Sequence, residues 1–414
     1  MSETIARGTA GYWRASMALF LAAFSVFAAI YCVQPLLPVF VEEYGLEPAT
    51  SSIAISATTA TLAVSLMLIS WLGNRFDRKL LMAATLTATS ALVFATAATA
   101  EWGELVVFRS LIGVAVCGVP AVAMVYLGEE MDPAALGFGM GMFVGGSAIG
   151  GMGGRLIMGL LLEFMTWREA LMVVGWVIVC NTLAFLALLP VPRNSASGTL
   201  SLSIVLANMR QVVSDPALRL LLVCSFILMG IFVAIYNYIA FRLLASPYDL
   251  SQSKVALVFV VYLVGTVAST VIGSLAGAVG RRKVLWTMMV VILIGLAVSL
   301  ADPLWAVVVG MATATFGFFG AHSVASAWVA HRSGLARPQG SALYLLAYYA
   351  GSSILGTVAG LGWSYGRWPG VVALCALFAS VGLMAAIKLA FVPPVSPTAG
   401  SFSQSAPLID RQAL

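Results

Sequence analysis

Apolar residues run along this chain in long blocks, and polar residues gather in the gaps between them. A ~19-residue hydropathy window marks twelve such blocks, at 15–41, 50–72, 80–100, 105–127, 137–162, 168–190, 217–244, 254–279, 284–301, 303–328, 339–364 and 369–391. Each is close to the ~20 residues that a helix needs to cross a bilayer core. The longest polar gap, 191–216, opens on the linker-like run Pro192-Arg-Asn-Ser-Ala-Ser-Gly198. It continues with Leu202, Ile204, Val205 and Leu206 near Arg210, a pattern that predicts a short interfacial amphipathic helix. The pattern therefore predicts an all-α polytopic membrane protein: a six-helix bundle over 15–190, a linker over 191–216, a second six-helix bundle over 217–391 and a disordered tail over 392–414.

The two bundles repeat each other. Ser70-Trp-Leu-Gly-Asn-Arg-Phe-Asp-Arg-Lys79 closes the second block, and Gly273-Ser-Leu-Ala-Gly-Ala-Val-Gly-Arg-Arg282 closes the eighth, 203 residues later. The same offset carries Gln34 onto Asn237. Gly146-Ser-Ala-Ile-Gly-Gly-Met-Gly-Gly-Arg155 in the fifth block meets Gly351-Ser-Ser-Ile-Leu-Gly in the eleventh, and Trp167 and Trp368 precede the last block of each half. Two parallel six-helix repeats are the construction of one large group of transporters.

Composition narrows the class. Apolar residues make up 61% of the 414 and charged residues 9%, against roughly 45–50% and 25% in soluble domains. A water-soluble domain is excluded. Five cysteines lie inside apolar blocks without metal or redox spacing, so they read as buried small apolar groups. The first block is too long for a cleaved signal and reads as a retained span. No basic stripe points to nucleic acid. With the N-terminus inside, fifteen of the 21 Lys and Arg residues fall on the cytoplasmic side, which places both termini there.

The loop at 70–79 resembles the G-x-L-A-D-R-x-G-R-K signature of the major facilitator superfamily. Tyr31-Cys-Val-Gln-Pro-Leu-Leu-Pro38, Gly150-Gly-Met-Gly-Gly-Arg-Leu-Ile157, Ala321-His-Ser-Val-Ala-Ser-Ala-Trp328 and Leu343-Tyr-Leu-Leu-Ala-Tyr-Tyr-Ala-Gly-Ser-Ser353 are similar to its YnfM-like branch, inner-membrane efflux carriers with a link to acriflavine sensitivity. The likeness runs from about Ala15 to Phe391 and implies twelve transmembrane helices in two pseudo-symmetric bundles, in a bacterial inner membrane. Asn74 stands where the superfamily has an Asp thought to brace the halves. Asn keeps a hydrogen bond without its charge-assisted part; either drift or a shift of the conformational balance accounts for it. The expected conformational switch is Asn74, Arg75, Asp77 and Arg78, paired with Glu129 and Glu130.

Charged groups in mid-membrane cost at least ~2.5–3.5 kcal/mol and usually face a cavity. All 16 acidic residues map to loops or block ends, which leaves Arg109, Arg155 and His322. By resemblance, Arg109 matches the arginine of a motif tied to proton-coupled carriers; otherwise it snorkels and pairs with Glu101 or Glu104. Arg155 follows a glycine run similar to that of antiporters, with Gly151 where they have Pro. It either lines the cavity and meets an anionic or carbonyl group of the substrate, or snorkels outward. His322 is a candidate for proton coupling, or a neutral histidine bonded to Ser326. Tyr31, Gln34, Tyr236, Asn237, Tyr344 and Tyr348 sit at similar heights in spans one, seven and eleven, and complete the expected substrate site with Arg155 and His322.

These features predict a secondary active transporter working by alternating access: proton-coupled efflux, by antiport, of a small amphiphilic organic compound. The alternative is a facilitator or symporter importing a small anionic or polar solute. A membrane enzyme or non-transporting receptor is remote, because no catalytic motif appears. The expected partners are the substrate, protons and the lipid bilayer. No cofactor, metal or nucleic acid is expected, and a monomer is the expected state.

Overall fold

The structure is a computed structural model that describes residues 4–72, 77–193 and 201–393. Asn74, Arg75 and the expected tail beyond Pro393 lie outside the described residues. In chain order the helices are α1 (Ala10–Tyr31), α2 (Leu37–Tyr44), α3 (Pro48–Ser51), α4 (Ile53–Leu72), α5 (Arg78–Ala97), α6 (Trp102–Val116), α7 (Gly118–Glu130), α8 (Pro133–Leu161) and α9 (Trp167–Leu188). Then follow α10 (Leu202–Ser214), α11 (Pro216–Leu244), α12 (Gln252–Leu257), α13 (Tyr262–Val279), α14 (Arg281–Val298), α15 (Leu304–Arg332) and α16 (Arg337–Phe391).

Ten helical stretches among the described residues are long and apolar enough to cross a membrane. Two more spans complete the twelve. The basic triplet Arg281-Arg282-Lys283 keeps α14 off that count, and α16 is two spans joined at Gly366 (φ −143°) and Arg367 (φ 51°). The first span begins at Ala10 rather than at 15. Helices dominate because a bilayer cannot satisfy free backbone groups, and the helix starts are capped in the sequence. Asp77, Asp132 and Asp215 accept backbone N–H bonds at the starts of α5, α8 and α11, and Thr166 with Glu169 forms a capping box on α9.

Small residues set the packing. Along α8, Gly146, Gly150 and Gly154 lie against the backbone of α1 at Phe20, Phe24 and Ala28, where any Cβ would collide. In the second bundle Gly351 of α16 lies in the same way against Phe226 of α11. Close backbone approach of this kind is the membrane solution to helix packing. Here it draws Arg155 against α1.

The bundles also share their helix-end chemistry. Lys79 donates to the Leu189 carbonyl after α9 (2.5 Å), and Arg282, 203 residues on, donates to Ala390 (2.9 Å) and Val392 (2.6 Å) at the end of α16. Cations at helix C-termini are favoured by the dipole. The ion pairs differ: Arg78 meets Glu129 (2.6 Å) in the first half, whereas Asp215 meets Arg332 (2.9 Å) in the second. Burial pushes the Asp215 carboxyl pKa up, but its bonds from Arg332, Leu218 and Ala217 outweigh that and hold it below the usual carboxylate value.

Candidate functional site

The site grows from a break in the first span. Pro35 has no N–H, and α1 ends at Tyr31 in a 3-10 turn over Gln34–Leu36. The carbonyls of the last helical turn are left short of intrahelical partners. Arg109 of α6 supplies them: its Nη1 donates to Ala29 (2.9 Å), its Nη2 to Ile30 (2.6 Å), and its Nε to Ala54 of α4 (2.9 Å). Arg109 is fully buried and joins three helices of one half. The expected ion pair with Glu101 or Glu104 does not form; Glu104 instead accepts from the Ala100 N–H.

Gln34, presented by that turn, is buried at the meeting of the two halves. Its Nε2 donates to Asn237 Oδ1 of α11 (2.6 Å), and its Oε1 accepts from Arg155 Nε. The pair related by the 203-residue repeat is thus a direct bond across the pseudo-symmetry axis. Arg155 points inward, not outward, and is 0% exposed. Its Nη1 donates to the Gly151 carbonyl of its own helix (2.5 Å), and Nη2 has no hydrogen-bond partner. The guanidinium carbon lies 4.2 Å from the Tyr31 ring centre, 4.7 Å from Tyr262, 5.5 Å from Phe259 and 5.9 Å from Tyr236. Each desolvated cation–π contact contributes ~0.5–2 kcal/mol, which offsets part of the burial of the charge. Phe259 and Tyr262 were not foreseen. Phe259 lies within the 3-10 turn Val258–Val261 and Tyr262 directly follows it, and the turn carries no proline to announce it.

The remaining predicted residues form a second cluster. His322 of α15 has its Nδ1 3.0 Å from the Tyr344 hydroxyl of α16 and its ring 4.8 Å from that of Tyr348. Ser326 does not bind it as one reading expected; Ser326 donates to the Ser323 carbonyl. Tyr236 holds Thr315 through its hydroxyl (2.8 Å). The clusters join through rings, from Tyr262 to Phe232 (5.1 Å between centres), to Phe318 (3.9 Å, stacked) and to His322 (5.9 Å).

Of the expected switch, Arg78 pairs with Glu129. Asp77 caps α5 through Leu80 N–H (2.8 Å), and Glu130 accepts from the Arg193 backbone N–H (2.8 Å). A row of hydroxyls also went unforeseen. Ser52, between α3 and α4, and Ser56 of α4 meet Thr357 of α16 (3.2 and 2.7 Å), and Thr59 meets Ser353 (2.7 Å). Glu163 accepts from the Ser253 N–H (3.3 Å). With the Ser353 hydroxyl donating to the Ser56 carbonyl (2.8 Å) and the Ser352 hydroxyl to Thr59 (3.4 Å), these bonds and Gln34–Asn237 join the halves, and they run from the centre toward the end of the bundle away from the chain termini.

Two six-helix bundles meeting at a buried polar and aromatic centre are the architecture of a membrane transporter. Residues 19–264 match the family model described as Major Facilitator Superfamily. The chain is 40% identical over 388 residues to the Inner membrane transport protein YnfM of Escherichia coli (strain K12), covering 94% of this chain and 93% of that protein. It is 38% identical over 384 residues to YybF, an uncharacterized MFS-type transporter of Bacillus subtilis (strain 168), covering 92% and 94%. A bacterial homolog of the human lysosomal transporter Spinster, solved inward-facing and unoccupied, superposes with TM-score 0.74 at 13% identity, over 91% of this chain and 94% of that one. The nucleoside transporter NupG gives 0.73 at 14%, over 92% and 99%; likeness at that identity speaks for the fold alone. The chain belongs to the Major Facilitator Superfamily and is a multi-span membrane transporter.

Proposed function

We propose that the protein works by alternating access and exports a small amphiphilic organic compound in exchange for protons, with both termini on the cytoplasmic side. The bundles 15–190 and 217–391 rock as units about the 191–216 linker, and the protein acts as a monomer. The observation that carries this reading is the one-sided seam. With the termini cytoplasmic, Gln34–Asn237 and the Ser/Thr row close the outer half of the path, so opening of the other half would load an exporter from the cytoplasm. Neutral hydrogen bonds contribute only ~0.5–1.5 kcal/mol each, so a few of them make a latch that a ligand can reverse. The Arg78–Glu129 pair is the natural brake on the opposite face. His322 supplies the proton step, because acidic side chains lie at the helix ends.

The test is flux in proteoliposomes loaded with a pH-sensitive dye and challenged with candidate solutes. An exporter of this kind moves protons opposite to solute, and His322→Gln removes the proton movement while solute exchange persists. Protons moving with the solute would favour the import reading, which draws its support from the cationic Arg155. Unchanged proton coupling in His322→Gln would remove that residue from the mechanism.

A further inference from the structure

Arg155 is a buried cation that the protein satisfies only in part. Its Nη2 is buried and carries no hydrogen bond, and among the described residues no acidic side chain pairs with Arg155. Gln34 and Gly151 occupy Nε and Nη1 and fix the plane of the guanidinium. That leaves one two-hydrogen arm within a box of rings. Ring faces attract a cation without accepting a strong hydrogen bond, so they steady the charge and leave the donors open. Arg155 and Tyr31 belong to the first bundle, whereas Phe259 and Tyr262 belong to the second; the box opens when the bundles part.

What lies beyond the box sets the rest of the ligand. From Tyr262 the rings continue through Phe232 and Phe318 to His322, a seam of largely buried, mutually packed rings leading away from the cation. A cationic guest would meet Arg155 with no carboxylate to offset the repulsion. A dianion would find a single free arm. We infer that this site takes a planar aromatic monoanion, its carboxylate on Arg155 Nη2 and its ring system along the Tyr262–Phe318 seam. The inference rests on the transport reading and gives it a substrate class.

The probes are naphthalene carboxylate, its neutral carboxamide and naphthylmethylammonium, titrated calorimetrically into the purified full-length protein. The carboxylate is expected to bind roughly 10- to 100-fold more tightly than the other two, the range that one charge-assisted bond gives. Arg155→Gln is expected to erase the preference for acid over amide, and Arg155→Lys to keep part of it, because an ammonium lacks the planar fork. An ammonium probe that binds as tightly as the carboxylate overturns the inference, as does an acid preference unchanged in Arg155→Gln. If that variant fails to fold, the wild-type series and Arg155→Lys still decide. Carboxylate that binds but never crosses the proteoliposome membrane would overturn transport and leave the site. Transport of other solutes without carboxylate binding would do the reverse.

Discussion

Arg109 and Arg155 are both arginines with 0% exposure in the first bundle, and they show two ways of keeping a cation inside a membrane protein. Every nitrogen of Arg109 donates to a backbone carbonyl, and all three acceptors belong to its own bundle. Arg155 holds one amide and one carbonyl, faces rings from both bundles, and keeps one arm idle. A saturated charge locks helices together, because any movement breaks bonds that nothing replaces. An under-satisfied charge at a joint is available to a ligand, and its cost is borne by the scaffold around it. By this contrast Arg109 belongs to the frame of its own bundle, whereas Arg155 stands at the joint where the proposed site lies.

The sharpest way to break this division is to remove each charge in turn. Arg109→Leu deletes three charge-assisted bonds of ~1.5–3 kcal/mol each, against a typical total stability of ~5–15 kcal/mol. Little folded protein should survive size-exclusion chromatography in detergent. Arg155→Gln removes a buried charge that no acidic side chain pairs among the described residues, and burying such a charge is costly, so its thermal midpoint should equal or exceed that of the parent. Equal losses from both variants would end the distinction between frame and site.

A middle-sized effect is expected at the joint itself. Asn237→Ala cuts the 2.6 Å bond to Gln34 and leaves the Gln34–Arg155 bond in place. Losing one neutral hydrogen bond, ~0.5–1.5 kcal/mol, should shift the balance of the two access states about 2- to 12-fold toward the parted outer face. Spin labels at the exposed Phe164 and Asp249, one in each half, would report a larger long-distance population. An unchanged distance distribution would mean that Gln34–Asn237 does not latch the outer side.

Much of the frame was legible in the chain because its causes are local or repetitive. Twelve apolar blocks follow from the bilayer, the glycine ladder from close packing, and the 203-residue offset brought Gln34 and Asn237 to one another. Arg109's role was hidden for a physical reason. Its acceptors are carbonyls 55 to 80 residues away, and every residue type carries the same carbonyl. Phe259 and Tyr262 were hidden because span eight is apolar nearly all round, so periodicity does not say which face looks inward. The bond partner of His322 has the same cause: local spacing offers Ser326 as one alternative, while packing supplies Tyr344 from the next helix.

The finest test of the contrast uses one hydroxyl beside each arginine site. Thr58 is buried against the frame and donates to the carbonyl of Arg109 itself (2.8 Å), while Thr315 is buried against the ring box and holds the Tyr236 hydroxyl (2.8 Å). Valine keeps the shape of threonine without its hydroxyl, so Thr58→Val and Thr315→Val should each cost about 1 kcal/mol, the worth of one hydrogen bond. Thermal unfolding should place the two variants close together, slightly below the parent. Binding should separate them. Thr315→Val frees Tyr236 to turn within the box and should weaken the naphthalene carboxylate a fewfold, whereas Thr58→Val should leave its affinity unchanged. If Thr58→Val weakened binding as much as Thr315→Val, the two arginines would be coupled parts of one site, and frame and site would have to be redrawn as a single unit.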